Sequence, residues 1–204
     1  MSAPRVTIIE TGVANTASVA AAFRRLGAHA DITADRNAIE HAEHLVLPGV
    51  GTFGAGARTL DAHLLRSTLR ARIEADRPTL AVCLGMQLLF ASSDESPGTH
   101  GLALYESHVR AFPPGVRTPQ FGWNRVVAPE SARFLRTGYA YFANSFRITD
   151  APANTLCARS DHGGPFVAAL ERGNLLACQF HPELSGSWGI DLLGRWLQPE
   201  AISC

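Results

Sequence analysis

Two short segments carry residue types suited to covalent chemistry, Ala81-Val-Cys-Leu-Gly-Met-Gln87 and Gln179-Phe-His-Pro-Glu183. A cysteine, a histidine and a carboxylate make a nucleophilic triad: the thiolate attacks, the imidazole takes and returns a proton, and the carboxylate orients the ring. Cys83, His181 and Glu183 are assigned those roles. Nucleophile and base lie far apart in the sequence, so only folding can join them, as is usual for Cys–His enzymes. Ala81 and Gly85, two residues either side of the cysteine, are the small neighbours that a nucleophile on a strand-to-helix elbow requires. A helix beginning there would favour the thiolate through its peptide dipoles. Among eight histidines, His181 alone is followed by a proline and then an acid. His41 and His44 form an HxxH pair without a third ligand and are read as surface residues, so no metal site is expected.

Gly49-Val-Gly-Thr-Phe-Gly54 matches the dinucleotide fingerprint GxGxxG literally. It stands on the third strand rather than the first, however, follows Pro48, and lacks the acid-ended second strand about 20 residues on that such sites use. The reading preferred is a loop in which Gly49, Val50 and Gly51 offer backbone N–H groups to the Cys83 chemistry, as an oxyanion hole does.

The elements that must position these groups follow from hydrophobic periodicity. A β-rich run over 5–9 precedes a helix over 15–26 with apolar residues at helical spacing and Gly27 at its end. Strands are predicted over 28–33, 44–48 and 78–83, the last two almost wholly apolar, as for strands buried on both faces. Helices are predicted near 54–60 and 62–75, and another over 85–91. From about residue 105 the segments become short, β-rich and turn-separated, until an amphipathic helix over 189–197. The expected fold is α/β, with a mostly parallel central sheet flanked by helices and antiparallel or mixed strands added in the C-terminal half. One domain spanning 1–204 is expected.

Composition narrows the function. The chain has 204 residues, 46% hydrophobic and 18% charged, with a formal net charge of zero, so neither a nucleic-acid surface nor a polybasic membrane patch is implied. No apolar run is long enough to span a membrane, and the N-terminus lacks a signal-peptide core; the expectation is a cytoplasmic protein. All 18 basic residues are arginine, which excludes a Schiff-base lysine and a Walker A loop. Cys157 and Cys178 sit in apolar runs and are read as buried small hydrophobes. Cys204, the last residue, is read as frayed.

Pro48-Gly-Val-Gly-Thr-Phe-Gly54, Cys83-Leu-Gly-Met-Gln-Leu-Leu-Phe90, Phe121-Gly-Trp-Asn124, Pro165-Phe-Val-Ala-Ala169 and Gln179-Phe-His-Pro-Glu183 occur in that order. Together they resemble the class I (triad) glutamine amidotransferases, and among them the glutaminase subunits of imidazole glycerol phosphate synthase, over essentially the whole chain. The resemblance implies that Cys83 attacks the side-chain amide of glutamine, giving a glutamyl thioester and ammonia, with no cofactor. It implies that the Leu84 N–H and one from the 49–51 loop stabilise the oxyanion, and that Gln87 and the backbone at Ser145 and Phe146 hold the substrate. It also implies that ammonia passes to a (β/α)8-barrel cyclase partner, faced by Asn15, Phe121, Trp123, Asn124 and Leu184.

The chain departs from the family's pattern at three places: Glu10-Thr-Gly-Val-Ala-Asn15 replaces an Asp-Tyr-Gly-x-Gly-Asn turn, Asn144 a histidine, and Leu184 a lysine. The triad is untouched. Glutaminase subunits of other synthases, a catalytically idle regulatory subunit and a cysteine peptidase are the competing readings; the Cys83 and Gly-Trp-Asn segments speak against the peptidase.

Overall fold

The structure is a computed structural model that describes residues 3–12 and 15–198, so Cys204 and the Val13-Ala14 centre of the first turn lie outside the described residues. The first half runs β1 (Arg5–Ile9), α1 (Thr16–Arg25), β2 (His29–Thr33), α2 (Arg36–His41), β3 (His44–Leu47), α3 (Phe53–Ala62), α4 (Arg66–Glu74), β4 (Thr79–Val82) and α5 (Leu84–Gln87). The second half adds β5 (Phe90–Ser93), β6 (Tyr105–Ala111), β7 (Gln120–Val126), β8 (Gly138–Asn144), β9 (Phe146–Arg147), β10 (Leu156–Asp161), β11 (Pro165–Arg172) and β12 (Leu175–Cys178). A 3-10 turn (Pro182–Leu184) and α6 (Gly186–Leu197) close the chain. Among the described residues no helix is long and apolar enough to cross a membrane.

Seven strands form the central sheet in the order β10-β11-β12-β4-β3-β1-β2. From β12 to β2 the neighbours are parallel, while β11 and β10 join antiparallel at one edge. Every residue of β3, β4 and β12 is buried, because helices cover both faces of the sheet. Alternating side chains sort into two cores. Val46, Leu80, Val82 and Leu176 pack with Val19 and Phe23 of α1 and Trp196 of α6. Leu45, Leu47, Ala81 and Leu175 pack with Phe53 and Leu60 of α3 and Leu69 and Ile73 of α4. Outside this sheet, β5, β6 and β9 make a small three-stranded sheet, and β7 with β8 a two-stranded ribbon. Isolated bridges from Tyr141 to His181 and from Val127 to Arg159 tie that ribbon to the sheet's end.

Two helices and one histidine differ from the sequence expectation. The helix expected over 85–91 is the single turn α5, and 90–93 is a strand paired with β6. The Gly101 and Leu102 N–H groups take the Ala91 and Leu88 carbonyls, so acceptors that a longer helix would use are committed elsewhere. The helix expected over 62–75 starts at Arg66, because Leu64 adopts a φ of 54° that interrupts it. His44 is not a surface residue. It opens β3, lies 8% exposed against Trp196, and burial pushes its imidazole pKa down.

Candidate active site

Cys83 stands where β4 ends and α5 begins, with φ 53°, a region L-residues rarely occupy except where the surroundings enforce it. Here its N–H donates to the Cys178 carbonyl at 2.7 Å and its carbonyl accepts from the Gln87 N–H at 3.2 Å. Gly85 explains the small-residue requirement, since a Cβ there would lie 2.1 Å from the Leu47 carbonyl oxygen. A Cβ on Gly49 would come within 2.8 Å of Leu84 Cβ, so the loop leaving β3 and the cysteine elbow are in close contact. Because α5 is one turn long, few aligned peptide dipoles stand behind the sulfur.

β12 pairs with β4, so residues 179–181 emerge beside Cys83 at the carboxyl end of the sheet, the edge at which open α/β sheets place their ligands. The His181 N–H donates to the Tyr141 carbonyl at 2.9 Å. Ser185 Oγ donates to the His181 carbonyl at 2.6 Å and accepts the Tyr141 N–H at 3.0 Å. His181 Nδ1 meets Glu183 Oε1 at 2.8 Å, with the two side chains 8% and 3% exposed. That contact leaves the other ring nitrogen for Cys83. Burial alone would lower the imidazole's pKa, but hydrogen bonds to Cys83 and Glu183 and the charges of both push it up to about 10. The ring is therefore held as imidazolium at neutral pH, with a proton available to a leaving group.

Above the sulfur lies a cavity of about 310 Å³, at the lower end of the roughly 300–1,000 Å³ range of small-molecule sites. Val50, Gly51, Leu84, Gln87, Ser145 and Phe146 line it together with Cys83 and His181. The oxyanion hole read from the sequence is not assembled in this conformation. The Leu84 N–H donates to the Gly49 carbonyl at 3.3 Å, so a donor expected to serve an oxyanion is taken up by a backbone acceptor.

The residues expected to face a partner fall into two groups. Phe121, Trp123 and Leu184 are 70%, 58% and 42% exposed, Phe121 at the cavity's rim and Trp123 edge-on to Tyr141. Asn124 is engaged within the chain, its Nδ2 donating to the Asp161 carbonyl at 2.8 Å and its Oδ1 accepting the Arg125 N–H at 2.7 Å. Asn15 caps α1 through the Ser18 N–H at 3.2 Å and lines a small recess with His181 and Glu183, behind the triad.

Three residues in the site carried no functional assignment from the sequence. Glu95 lines the cavity and accepts the Phe53 N–H at 2.6 Å; its only signal is an acid in a serine-rich turn shortly after Cys83. Asn144, a departure from the family's pattern, also lines the cavity. Its Nδ2 donates to the Phe146 carbonyl at 3.0 Å, while its buried Oδ1 has no partner among the described residues. Gln179 opens the His-Pro-Glu segment and reaches the sulfur.

Residues 7–193 match the family described as glutamine amidotransferase class-I. The imidazole glycerol phosphate synthase subunit HisH of Methanothermobacter thermautotrophicus is 41% identical over 196 residues, covering 95% of this chain and 98% of that protein. The protein of the same name from Symbiobacterium thermophilum is 40% identical over 197 residues, covering 94% and 92%. Among solved structures, PurLQS from Thermotoga maritima superposes with a TM-score of 0.76 at 15% identity, over 97% of this chain and 99% of that one. A glutamine amidotransferase crystal structure superposes with a TM-score of 0.75 at 18% identity, over 95% and 97%. At these identities the two superpositions speak to the fold.

Proposed function

The chain belongs to the class-I glutamine amidotransferase family, and from that premise we propose that it works, as one domain, as the glutaminase of an imidazole glycerol phosphate synthase. It is an enzyme subunit of histidine biosynthesis, as its relatives at 41% and 40% identity are subunits of that synthase. The proposed partner is a (β/α)8-barrel cyclase, which takes the ammonia and makes imidazole glycerol phosphate and AICAR. The single observation that carries the chemistry is the alignment of Cys83, His181 and Glu183 beneath the cavity.

Glutamine enters with its side-chain amide over Cys83. Glu95, the one carboxylate of the cavity lining among the described residues, suits the α-ammonium group, and Gln87 with the backbone at Ser145 and Phe146 suits the rest of the amino-acid end. The thiolate attacks the amide carbon, and the electron pair of the C=O moves onto oxygen. His181 protonates the nitrogen, the C–N bond breaks, and ammonia leaves behind a glutamyl thioester. His181 then takes a proton from water, whose oxygen attacks the thioester; glutamate departs and the thiolate returns. Glu183 holds the imidazole oriented throughout.

The oxyanion requires donors, and the Gly49 carbonyl stands on the Leu84 N–H. Turning over the Gly49–Val50 peptide removes that oxygen and presents the Val50 N–H instead, which completes a two-donor hole. Docking of the cyclase against exposed Phe121, Trp123 and Leu184, next to the cavity rim, is the proposed trigger. The chain alone is then a slow glutaminase although its triad is assembled.

Amide-15N glutamine supplied to the chain with a barrel cyclase and its nucleotide substrate tests the assignment. The label is expected in the imidazole product and absent when Cys83→Ala replaces the wild type. Labelled ammonia without labelled product would refute the cyclase partnership, and no Cys83-dependent release would refute the glutaminase.

A further inference from the structure

His181 is not the only side chain that touches the nucleophile. Gln179, fully buried just beyond the end of β12, donates from Nε2 to Cys83 Sγ at 3.7 Å. Its Oε1 accepts from Gln87 Nε2 at 2.9 Å, and Gln87 Nε2 also donates to the Phe146 carbonyl at 3.3 Å.

The direction of this chain is dictated from one end. The Phe146 carbonyl can only accept, so Gln87 must turn its NH₂ toward it. The second hydrogen of that NH₂ meets Gln179 Oε1, and Gln179 must therefore present its own NH₂ to the sulfur. The carboxamide orientations follow from a backbone group, and Gln87 Oε1 is the acceptor left over on a side chain that lines the cavity.

We propose that Gln179 is a positioning residue for the nucleophile, a neutral donor that holds Cys83 Sγ in place and couples it to Gln87. With the His181 ring beside it and the Gln179 carboxamide donating to it, the sulfur is flanked by two different side chains, which restrains it more than one would. A carboxamide suits this place because it donates without exchanging a proton, so the proton on His181 stays committed to the leaving nitrogen. An ionised acid at 179 would lose the donor and set a negative charge against the sulfur, and a protonated one could exchange its proton with it. The coupling to Gln87 rests on the glutaminase reading, since only then does Gln87 read substrate; the contact to sulfur does not.

The test follows Cys83 alkylation by iodoacetamide, resolved by peptide mass spectrometry across a pH series, and in parallel kcat and KM for glutamine in the complex with the barrel cyclase. For Gln179→Glu and Gln179→Met we expect neutral-pH alkylation of Cys83 to slow by about tenfold, the scale of one hydrogen bond to a charged group. The rise of the alkylation rate with pH is expected to move to higher pH, further in the Glu variant than in the Met variant. Gln87→Leu, one link further from the sulfur, is expected to raise KM and to displace the alkylation profile less. If Gln179→Glu does not fold, the Met variant of similar length carries the test. Alkylation profiles of both Gln179 variants that superpose on the wild type would overturn the proposal. Displaced variant profiles together with a wild-type complex that releases no glutamate would uphold the sulfur contact while refuting the glutaminase reading.

Discussion

The two halves of the reaction centre are prepared to different degrees. On one side Glu183 is bonded to His181, which stands beside Cys83; all three are nearly buried and backed by the β4–β12 pairing and the Ser185 clamp. On the other, the loop after β3 holds a carbonyl oxygen against the Leu84 N–H, where an N–H is required. On the proposed glutaminase reading, the proton-transfer pair stands beside the nucleophile ahead of substrate, whereas charge stabilisation awaits the loop. Preorganised donors at a developing oxyanion contribute on the order of 10²–10³ in rate, so one peptide orientation is a sufficient gate. An enzyme whose product is meant for another subunit gains from gating at that loop, because the triad can stay rigid while a single peptide moves.

Substitutions on the prepared side should cost most. Cys83→Ala removes the nucleophile, and glutamate release is expected to fall by about 10⁴–10⁶-fold. Glu183→Gln leaves the ring in place but takes the negative charge from beside it, with an expected loss of about 10³-fold in kcat, measured by coupled glutamate detection in the cyclase complex. On the withheld side, Val50→Pro deletes the N–H that the turned peptide would offer. Stimulated turnover should drop about 10²-fold while iodoacetamide still alkylates Cys83 at the wild-type rate, a separation that a damaged triad would not give.

A pH experiment sharpens the comparison without touching the loop. The His181 pKa is raised from 6.5 to about 10 in the fold, so the native state binds this proton more tightly than the unfolded chain does. Its contribution to stability is fully present below pH 6.5 and is lost as pH rises through about 10. Chemical denaturation across that window should show the decline, and Cys83→Ala, which removes one of the raising partners, should flatten it. The smallest effect is expected at the rim: Trp123→Ala should alter stability by no more than about 0.5 kcal/mol, yet weaken stimulation by the cyclase, read as the partner concentration giving half-maximal turnover.

What the sequence revealed and what it withheld divide along the same line. The meeting of His181 and Glu183 beside Cys83 could be read because its signal resides in residue types, a Cys between small neighbours and a His followed by Pro and Glu, and the strands beneath it because 45–47 and 80–82 are apolar throughout. The state of the oxyanion loop could not, since Gly49 and Val50 are the same residues whichever way their shared peptide points. Glu95 and Gln179 acquire their roles only from partners distant in the chain, Phe53 and Cys83 respectively. The truncated helix at 84–87 likewise depends on acceptors claimed by Gly101 and Leu102. His44 was misread because its burial under Trp196 is set by where β3 lies in the sheet, not by its spacing from His41.

The most direct test sets two rates side by side: Cys83 alkylation by iodoacetamide and glutamate release from glutamine, each for the chain alone and for its complex with the barrel cyclase and nucleotide ligand. An assembled triad with a withheld oxyanion hole predicts alkylation that changes little on complex formation, while glutamate release rises by about 10²–10³-fold. Full turnover by the isolated chain, or alkylation that climbs in step with turnover, would contradict it.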